Sequence, residues 1–213
     1  TLADLAQAME SVTAFDMESL PVREDWAVQR RKRLSNVVAQ TLLEADGRVG
    51  ERSHSTAPAT VPVEVPALPL AFVRPQPLAE LKRRVLEAAA GASDATVAAH
   101  GMGGVGKTVA AVALVRDKEV SAAFERICWV TLGQTPDITL LQRTLHVQLA
   151  GSPLPEAAAT DPRLALDVLC KAAHGVSVLL VLDDVWTDEQ AKLLSFVSES
   201  SAHSSILVTT RIT

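Results

Sequence analysis

The chain has 213 residues, of which 48% are hydrophobic and 21% are charged, and its formal net charge is −5. This is the composition of an ordinary soluble globular protein with room for one substantial domain and an appendage. The negative charge argues against a nucleic-acid partner, since phosphate-backbone binding needs a basic surface. No apolar stretch approaches the roughly 18 residues that a membrane span requires.

The first 70 residues divide into two segments of different composition. Residues 1–46 look helical, because apolar residues between Trp26 and Ala45 recur at helical spacing. Residues 47–70 are rich in Pro, Ser and Thr, which predicts an extended, disordered linker of polyproline character. We therefore expect the main domain to cover residues 71–213.

Helical patterns alternate with short apolar strands from residue 71 onward. The helices are predicted at residues 78–90, 108–118, 138–149, 162–173 and 188–197. The strands are predicted at residues 96–100, 127–132, 176–182 and 205–210. This alternation predicts an α/β fold, a parallel sheet flanked by helices in three layers. Asp137 and Asp161 are the predicted helix N-caps, and Trp129 and Trp186 are interpreted as core anchors.

Both cysteines, Cys128 and Cys170, lie in apolar runs and are predicted to be buried, reduced thiols. Such thiols are typical of a cytoplasmic or nuclear protein. The chain begins at Thr1 and ends directly after a strand-like run. We therefore expect a fragment of a longer protein, cut within a domain.

The most informative segment reads Gly-Met-Gly-Gly-Val-Gly-Lys-Thr and follows the phosphate-binding pattern G-x-x-x-x-G-K-[ST]. It lies between a predicted strand and a predicted helix, where backbone N–H groups and the helix N-terminus favour an anion. Lys107 is expected to reach the β- and γ-phosphates and the Thr108 hydroxyl to complete a Mg²⁺ shell. The predicted nucleotide-binding residues of this loop are Gly101, Met102, Gly103, Gly104, Val105, Gly106, Lys107 and Thr108.

A second motif, Val-Leu-Leu-Val-Leu-Asp-Asp-Val-Trp, places an acidic pair at the end of an apolar strand. Ligands of open α/β sheets bind at this carboxyl edge. We assign Asp183 to the metal shell, through water, and Asp184 to polarising the attacking water. The alternative is that both carboxylates cap the turn before Trp186.

A third segment, Ser-Ile-Leu-Val-Thr-Thr-Arg, delivers Arg211 to the same edge of the sheet. A fixed positive charge there could sense a γ-phosphate or stabilise the charge that spreads over it. The alternative is a solvated arginine at a strand end.

Together the three motifs closely resemble the NB-ARC domain of plant disease-resistance receptors and apoptotic adaptor ATPases, a STAND-class P-loop NTPase. The segment Phe-Glu-Arg-Ile-Cys-Trp-Val at 124–130 is similar to the family's Phe-x-x-x-x-Trp-Val. The resemblance covers residues 71–213 and implies a domain that is incomplete at its C-terminus. The family's helical subdomains would lie beyond Thr213, and a strand beside the phosphate-loop strand is missing.

The resemblance implies a signalling switch that holds ADP at rest, exchanges it for ATP, and is reset by slow Mg²⁺-dependent hydrolysis. It gives Lys107 and Thr108 the β-phosphate and Mg²⁺, Asp183 the metal, Asp184 the catalytic water and Arg211 the γ-phosphate.

The family's Val-Gly-Arg motif corresponds here to Phe72-Val73-Arg74-Pro75, without the glycine. This implies that Val73 and Arg74 contact the adenine. The alternative is an exposed linker arginine.

The resemblance also implies a role in defence signalling, protein partners bound through domains outside this chain, and an ATP-dependent homo-oligomer of the full-length protein. Two enzymatic alternatives remain: a continuously cycling AAA-type remodelling ATPase and a small-molecule kinase. Remodelling ATPases usually end this strand with Asp-Glu, so the pair Asp183-Asp184 favours the slow switch.

Overall fold

The structure is a computed structural model, and it describes residues 14–16, 59–70, 72, 77–91, 96–197 and 203–211. Five strands are β1 Ala14–Asp16, β2 Thr96–His100, β3 Arg126–Thr131, β4 Val178–Val185 and β5 Ser205–Thr210. Six helices are α1 Pro77–Ala89, α2 Lys107–Val115, α3 Lys118–Ala123, α4 Ile138–Ala150, α5 Pro162–Ala172 and α6 Asp188–Lys192. None of the helices in these ranges is long and apolar enough to cross a membrane.

All five strands run parallel, in the order β1-β2-β5-β4-β3. The carboxyl ends of β2, β5 and β4 therefore meet at one edge of the sheet. His100 pairs with Thr210 and Thr131 pairs with Asp183 at this edge. The predicted α/β fold with a parallel sheet is confirmed. The three sequence motifs all lie at the carboxyl ends of the strands.

Each face of the sheet carries its own apolar core, because successive strand residues point to opposite faces. In β4, Leu179 and Val181 belong to the core that α1, α2 and α3 cover. Leu180 and Leu182 belong to the core under α4, α5 and α6. Four of these strand side chains have no exposed surface, as expected for a parallel sheet covered on both sides. The predicted three-layer arrangement is therefore confirmed.

Most predicted elements match the structure to within one residue at each end, whereas two helices and one strand differ. The strand predicted at 176–182 covers Val178–Val185 and so includes the acidic pair. The helix predicted at 108–118 ends at Val115, and a second helix begins at Lys118. Asp117 separates them because its backbone is extended and its carboxylate accepts a hydrogen bond from Glu119 N, as an N-cap does. The last predicted helix, 188–197, ends already at Lys192. The predicted N-caps Asp137 and Asp161 are confirmed, since each accepts a hydrogen bond from the first turn of its helix.

The N-terminal region contains a strand where the sequence predicted helix. β1 pairs in parallel with β2, so that Ala14 faces Ala98 and Asp16 faces His100. These three residues correct the helical prediction at this point, because tertiary pairing with a sheet edge overrides a local helical pattern. The rest of residues 1–46 lies outside the described residues. The strand lies beside β2, where the resemblance to the family had implied that a strand is missing.

The segment 59–70, predicted to belong to a disordered linker, is packed on the domain instead. Ala59 and Val65 are buried in the core that α1, α2 and α3 cover, and Ala59 N donates to Ser121 O at 2.8 Å. The Arg116 guanidinium donates to the carbonyls of Val65 and Pro66 at 3.3 and 3.1 Å. Apolar residues between the prolines give this extended segment a face to bury, which a Pro-rich composition alone does not reveal. The domain boundary at residue 71 stays a prediction.

Trp129 is fully buried, which confirms its role as a core anchor. Cys128 is a buried free thiol, and burial raises its pKa to about 12. The prediction for Cys170 was wrong, because this thiol is exposed on α5. A helix next to a sheet keeps one face in solvent, so an apolar run in the sequence does not bury every residue in it.

Candidate functional site

The phosphate-loop motif forms the connection between β2 and α2, at the carboxyl edge of the sheet. Gly104 and Gly106 have φ angles of +86° and +93°, a backbone region that side chains with a Cβ rarely adopt. Gly106 is the N-cap of α2 and has no side chain to cap its first turn. The first N–H groups of a helix need acceptors. The loop therefore offers backbone donors and the positive end of a helix dipole to an anion.

Lys107 is held by the loop that it belongs to. Its ammonium donates to Gly101 O at 2.7 Å and to Met102 O at 2.8 Å, and the residue is 8% exposed. Burial lowers the pKa of Lys107, and the nearby Arg211 charge lowers it further. Both effects disfavour the charged form of Lys107. An anion bound in the loop would therefore stabilise the charged ammonium. Met102, by contrast, is 69% exposed, and Val105 lies against Gly101.

Asp183 accepts hydrogen bonds from three threonines that lie on three different elements. Its Oδ1 accepts from Thr108 at 2.9 Å and from Thr209 at 2.6 Å, and its Oδ2 accepts from Thr131 at 3.4 Å. Thr131 in turn accepts from Trp129 Nε1 at 3.2 Å. The carboxylate is 2% exposed, so these bonds replace the water it gives up. The structure thus brings the two predicted metal ligands, Thr108 and Asp183, together.

Asp184 departs from regular strand geometry. Its φ is +54°, and the β4–β5 register shifts between Leu182 and Val185. Asp184 N donates to Thr209 Oγ1 at 2.9 Å, and Asp184 O accepts from Gly133 N at 3.1 Å. Asp is among the residues that tolerate a left-handed backbone. Asp184 therefore occupies a bulge at the carboxyl end of β4.

Arg211 follows β5 directly and contacts the second acidic residue. Its Nε donates to Asp184 Oδ1 at 3.2 Å, and its guanidinium carbon lies 5.2 Å from the centroid of the Trp186 ring. A Cβ at Gly103 would lie 3.5 Å from Arg211 Nη1, which puts the guanidinium beside the phosphate loop. Trp186 is partly buried and supports this arginine, so its role extends beyond the predicted core anchor.

The remaining predicted site residues, Val73 and Arg74, lie outside the described residues. Two residues that touch the site, Thr131 and Thr209, were not predicted from the sequence. The available signal was a hydroxyl at the carboxyl end of each strand that flanks β4. That signal needed the strand order, since it has meaning only when β3 and β5 are known to neighbour β4.

The donor set fits a Mg²⁺–nucleotide complex. The loop supplies N–H donors and an ammonium for phosphates, while Thr108 and Asp183 supply the oxygen atoms that Mg²⁺ prefers. Among the described residues, no group of three or more His, Cys, Asp or Glu side chains could hold a metal ion. A cation at Thr108 and Asp183 would therefore need phosphate oxygens and water molecules to complete its shell.

The glycine loop at a helix N-terminus, its buried lysine and the acidic strand end define a P-loop nucleotide-binding protein. The family model of the NB-ARC domain matches residues 75–213, more than half of the chain. The chain therefore belongs to the NB-ARC family.

Several curated plant proteins are similar to the chain. Disease resistance protein RGA2 of Solanum bulbocastanum is 31% identical over 115 residues, which cover 53% of this chain and 12% of the relative. Probable disease resistance protein At4g33300 of Arabidopsis thaliana is 39% identical over 102 residues, which cover 45% of this chain and 11% of the relative. The matched part of the chain thus spans about a tenth of the length of these relatives. Membership of this family makes the chain a nucleotide-binding module.

Proposed function

We propose that the chain is the ADP/ATP-binding switch module of a defence-signalling protein. In this proposal it holds ADP at rest, and exchange for ATP activates it. The observation that carries the proposal is the convergence of Lys107, Thr108, Asp183 and Arg211 at one edge of the sheet. Membership of the NB-ARC family supports the binding of a nucleotide, and the similarity to disease resistance proteins supports a role in defence signalling.

Each site residue has a defined part in this proposal. The backbone of residues 101–106 and Lys107 bind the β-phosphate, and Lys107 exchanges its bonds to the loop carbonyls for phosphate oxygens. Thr108 and Asp183 hold Mg²⁺, which when bound neutralises charge on the phosphate oxygens. Arg211 lies beside the loop and reads whether a third phosphate is present.

Slow hydrolysis is supported by the state of Asp184. Its carboxylate is paired with Arg211, and it has one methylene fewer than the glutamate that polarises water in fast-cycling ATPases. Polarising a water requires that pairing to break or to be shared. Slow turnover would let the ATP-bound state persist long enough to signal. We extend the proposal to protein partners and an ATP-dependent assembly that use parts of the longer protein.

Equilibrium dialysis of the purified chain against labelled ADP and ATP tests this function. We expect one nucleotide bound per chain and Mg²⁺-dependent binding of ATP. We expect each chain to hydrolyse less than about one ATP per minute, which is well below the usual range of enzymes. Lys107→Ala should abolish binding, whereas Lys171→Ala on α5 is the matched control and should leave it unchanged. Rapid continuous turnover would instead favour the remodelling ATPase, and absence of binding in the wild type would refute the proposal.

A further inference from the structure

Thr209 connects the two acidic residues of the site through a single hydroxyl. It lies next to last in β5 and is 1% exposed. Its Oγ1 donates to Asp183 Oδ1 at 2.6 Å and accepts from Asp184 N at 2.9 Å. A hydroxyl has one hydrogen and two lone pairs, so this one atom can make both bonds at once.

The bond to Asp184 N replaces a backbone interaction that the bulge removes. Three steps along β4, from Leu182 to Val185, match two steps along β5, from Val208 to Thr210. The extra residue of such a bulge leaves the ladder locally. On the β3 side, Leu132 N and Gly133 N donate to Asp183 O and Asp184 O. On the β5 side, Asp184 N donates to the Thr209 hydroxyl instead of to a backbone carbonyl.

The bond to Asp183 fixes the direction of a buried carboxylate. Asp183 Oδ1 accepts from Thr108 as well, and the Thr108 hydroxyl is itself a predicted metal ligand. The Thr209 side chain is buried, and its hydroxyl can donate to Asp183 whether or not Thr108 binds a cation. It therefore provides the site with one constant hydrogen bond.

We propose that Thr209 is a positioning residue that sets the orientation of both acidic side chains, Asp183 toward Mg²⁺ and Asp184 toward Arg211. The inference rests on the proposed nucleotide-binding function. A buried threonine with a purely structural role would affect only the stability of the sheet. A positioning residue must in addition change how strongly Mg²⁺ enhances nucleotide binding.

The test measures affinity for the non-hydrolysable ATP analogue AMPPNP in Mg²⁺ and in EDTA, and takes the ratio of the two affinities. Thr209→Val removes the hydroxyl at constant shape, and we expect it to reduce this ratio by about tenfold, the effect of losing a hydrogen bond to a charged group. The affinity in EDTA should stay within about twofold, since the loop–phosphate contacts are unchanged. Thr209→Ser keeps the hydroxyl and should retain the wild-type ratio.

A matched control lies one residue further along the same strand. The Thr210 hydroxyl donates to Val185 O at 2.9 Å and also spans β4 and β5. Thr210→Val should lower the melting temperature while the Mg²⁺ ratio stays as in the wild type. If Thr209→Val does not fold, the pair Thr209→Ser and Thr209→Ala replaces it, because these two variants differ only in the hydroxyl.

The outcomes separate this inference from the proposed function. An unchanged Mg²⁺ ratio in Thr209→Val or Thr209→Ala, or an equal loss in Thr210→Val, would overturn the positioning role while nucleotide binding stands. A wild-type chain that does not bind AMPPNP in either buffer would refute the proposed function and this inference together.

Discussion

Arg211 and Asp184 form an ion pair directly beside the phosphate loop, with Nε 3.2 Å from Oδ1. The arginine side chain is 49% exposed and the aspartate 27%, so solvent weakens their attraction. A pair of this kind contributes little to stability and can open at low cost. It keeps the arginine beside the loop while leaving it free to take a stronger anionic partner.

Arg211→Ala is expected to weaken ATP binding more than ADP binding. If the guanidinium reads the third phosphate, its loss removes a charge-assisted hydrogen bond that only ATP can form, and ATP affinity falls about tenfold. ADP affinity should change by less than about twofold. Titration calorimetry with both nucleotides in Mg²⁺ measures the two effects.

Arg126 supplies the control for this experiment, since it is an exposed arginine at the amino end of β3, on the opposite edge of the sheet. Arg126→Ala should change neither affinity. Equal losses of ATP and ADP binding in Arg211→Ala would contradict a role in reading the third phosphate.

Lys107 should make nucleotide affinity depend on alkaline pH. Burial and the Arg211 charge lower its pKa below the ordinary 10.5. The free protein therefore loses this proton at a lower pH than the unfolded chain, and between the two pKa values the unfolded chain binds more protons. By linkage, Lys107 contributes a gain in folding stability as pH rises through that window. ADP affinity should fall over the same window, because the phosphates favour the charged lysine.

The pH dependence is measured by calorimetry in buffers of different ionisation heat, which reveals proton uptake when ADP binds. Lys107→Arg is the comparison, because a guanidinium stays protonated throughout this range. The variant should take up no proton at this site. Superimposable pH profiles for the wild type and Lys107→Arg would disprove the assignment.

The parts of this molecule that could be predicted from the sequence are those fixed by contiguous residues. The phosphate loop is one example, because Gly106, Lys107 and Thr108 follow one another and their conformational and chemical requirements are local. The helix beginning after Asp161 is another, since its N-cap and the proline behind it are adjacent. Such features can be predicted without knowing the order of the strands in the sheet.

The features that escaped prediction depend on contacts between distant residues. Thr209 meets Asp183 only because β5 lies beside β4, and its bond to Asp184 depends on a bulge that no local pattern announces. The strand Ala14–Asp16 owes its conformation to pairing with β2. The packing of residues 59–70 likewise depends on Arg116, which is far along the chain.

Gly106→Ala should destabilise the folded chain by about 1–2 kcal/mol, the cost of placing a Cβ in the left-handed region. The cost is conformational, since a Cβ at Gly106 meets no described atom within 4 Å. Gly103→Ala is the control, because its backbone is not left-handed and its new Cβ would be in ordinary contact with Arg211 at 3.5 Å. Urea denaturation measures both variants, and equal losses would contradict the conformational argument.

Gln148 should stabilise the end of the sheet at β3. Its Oε1 accepts from Trp129 N at 2.7 Å and its Nε2 donates to Trp129 O at 3.0 Å, so one side-chain amide satisfies both backbone groups of a strand residue. Gln148→Ala leaves these two groups without that partner. We expect a loss of about 1–3 kcal/mol in the free energy of unfolding, the penalty for unsatisfied polar groups.

The same variant should also associate with itself, because open backbone groups on an edge strand are a template for pairing with another chain. Denaturation in urea measures the stability, and light scattering over a concentration series measures the association. Arg143→Ala, an exposed position on the same helix, is the control and should behave as the wild type. If Gln148→Ala lost stability without associating, the amide would stabilise β3 but would not protect its edge from pairing with another chain.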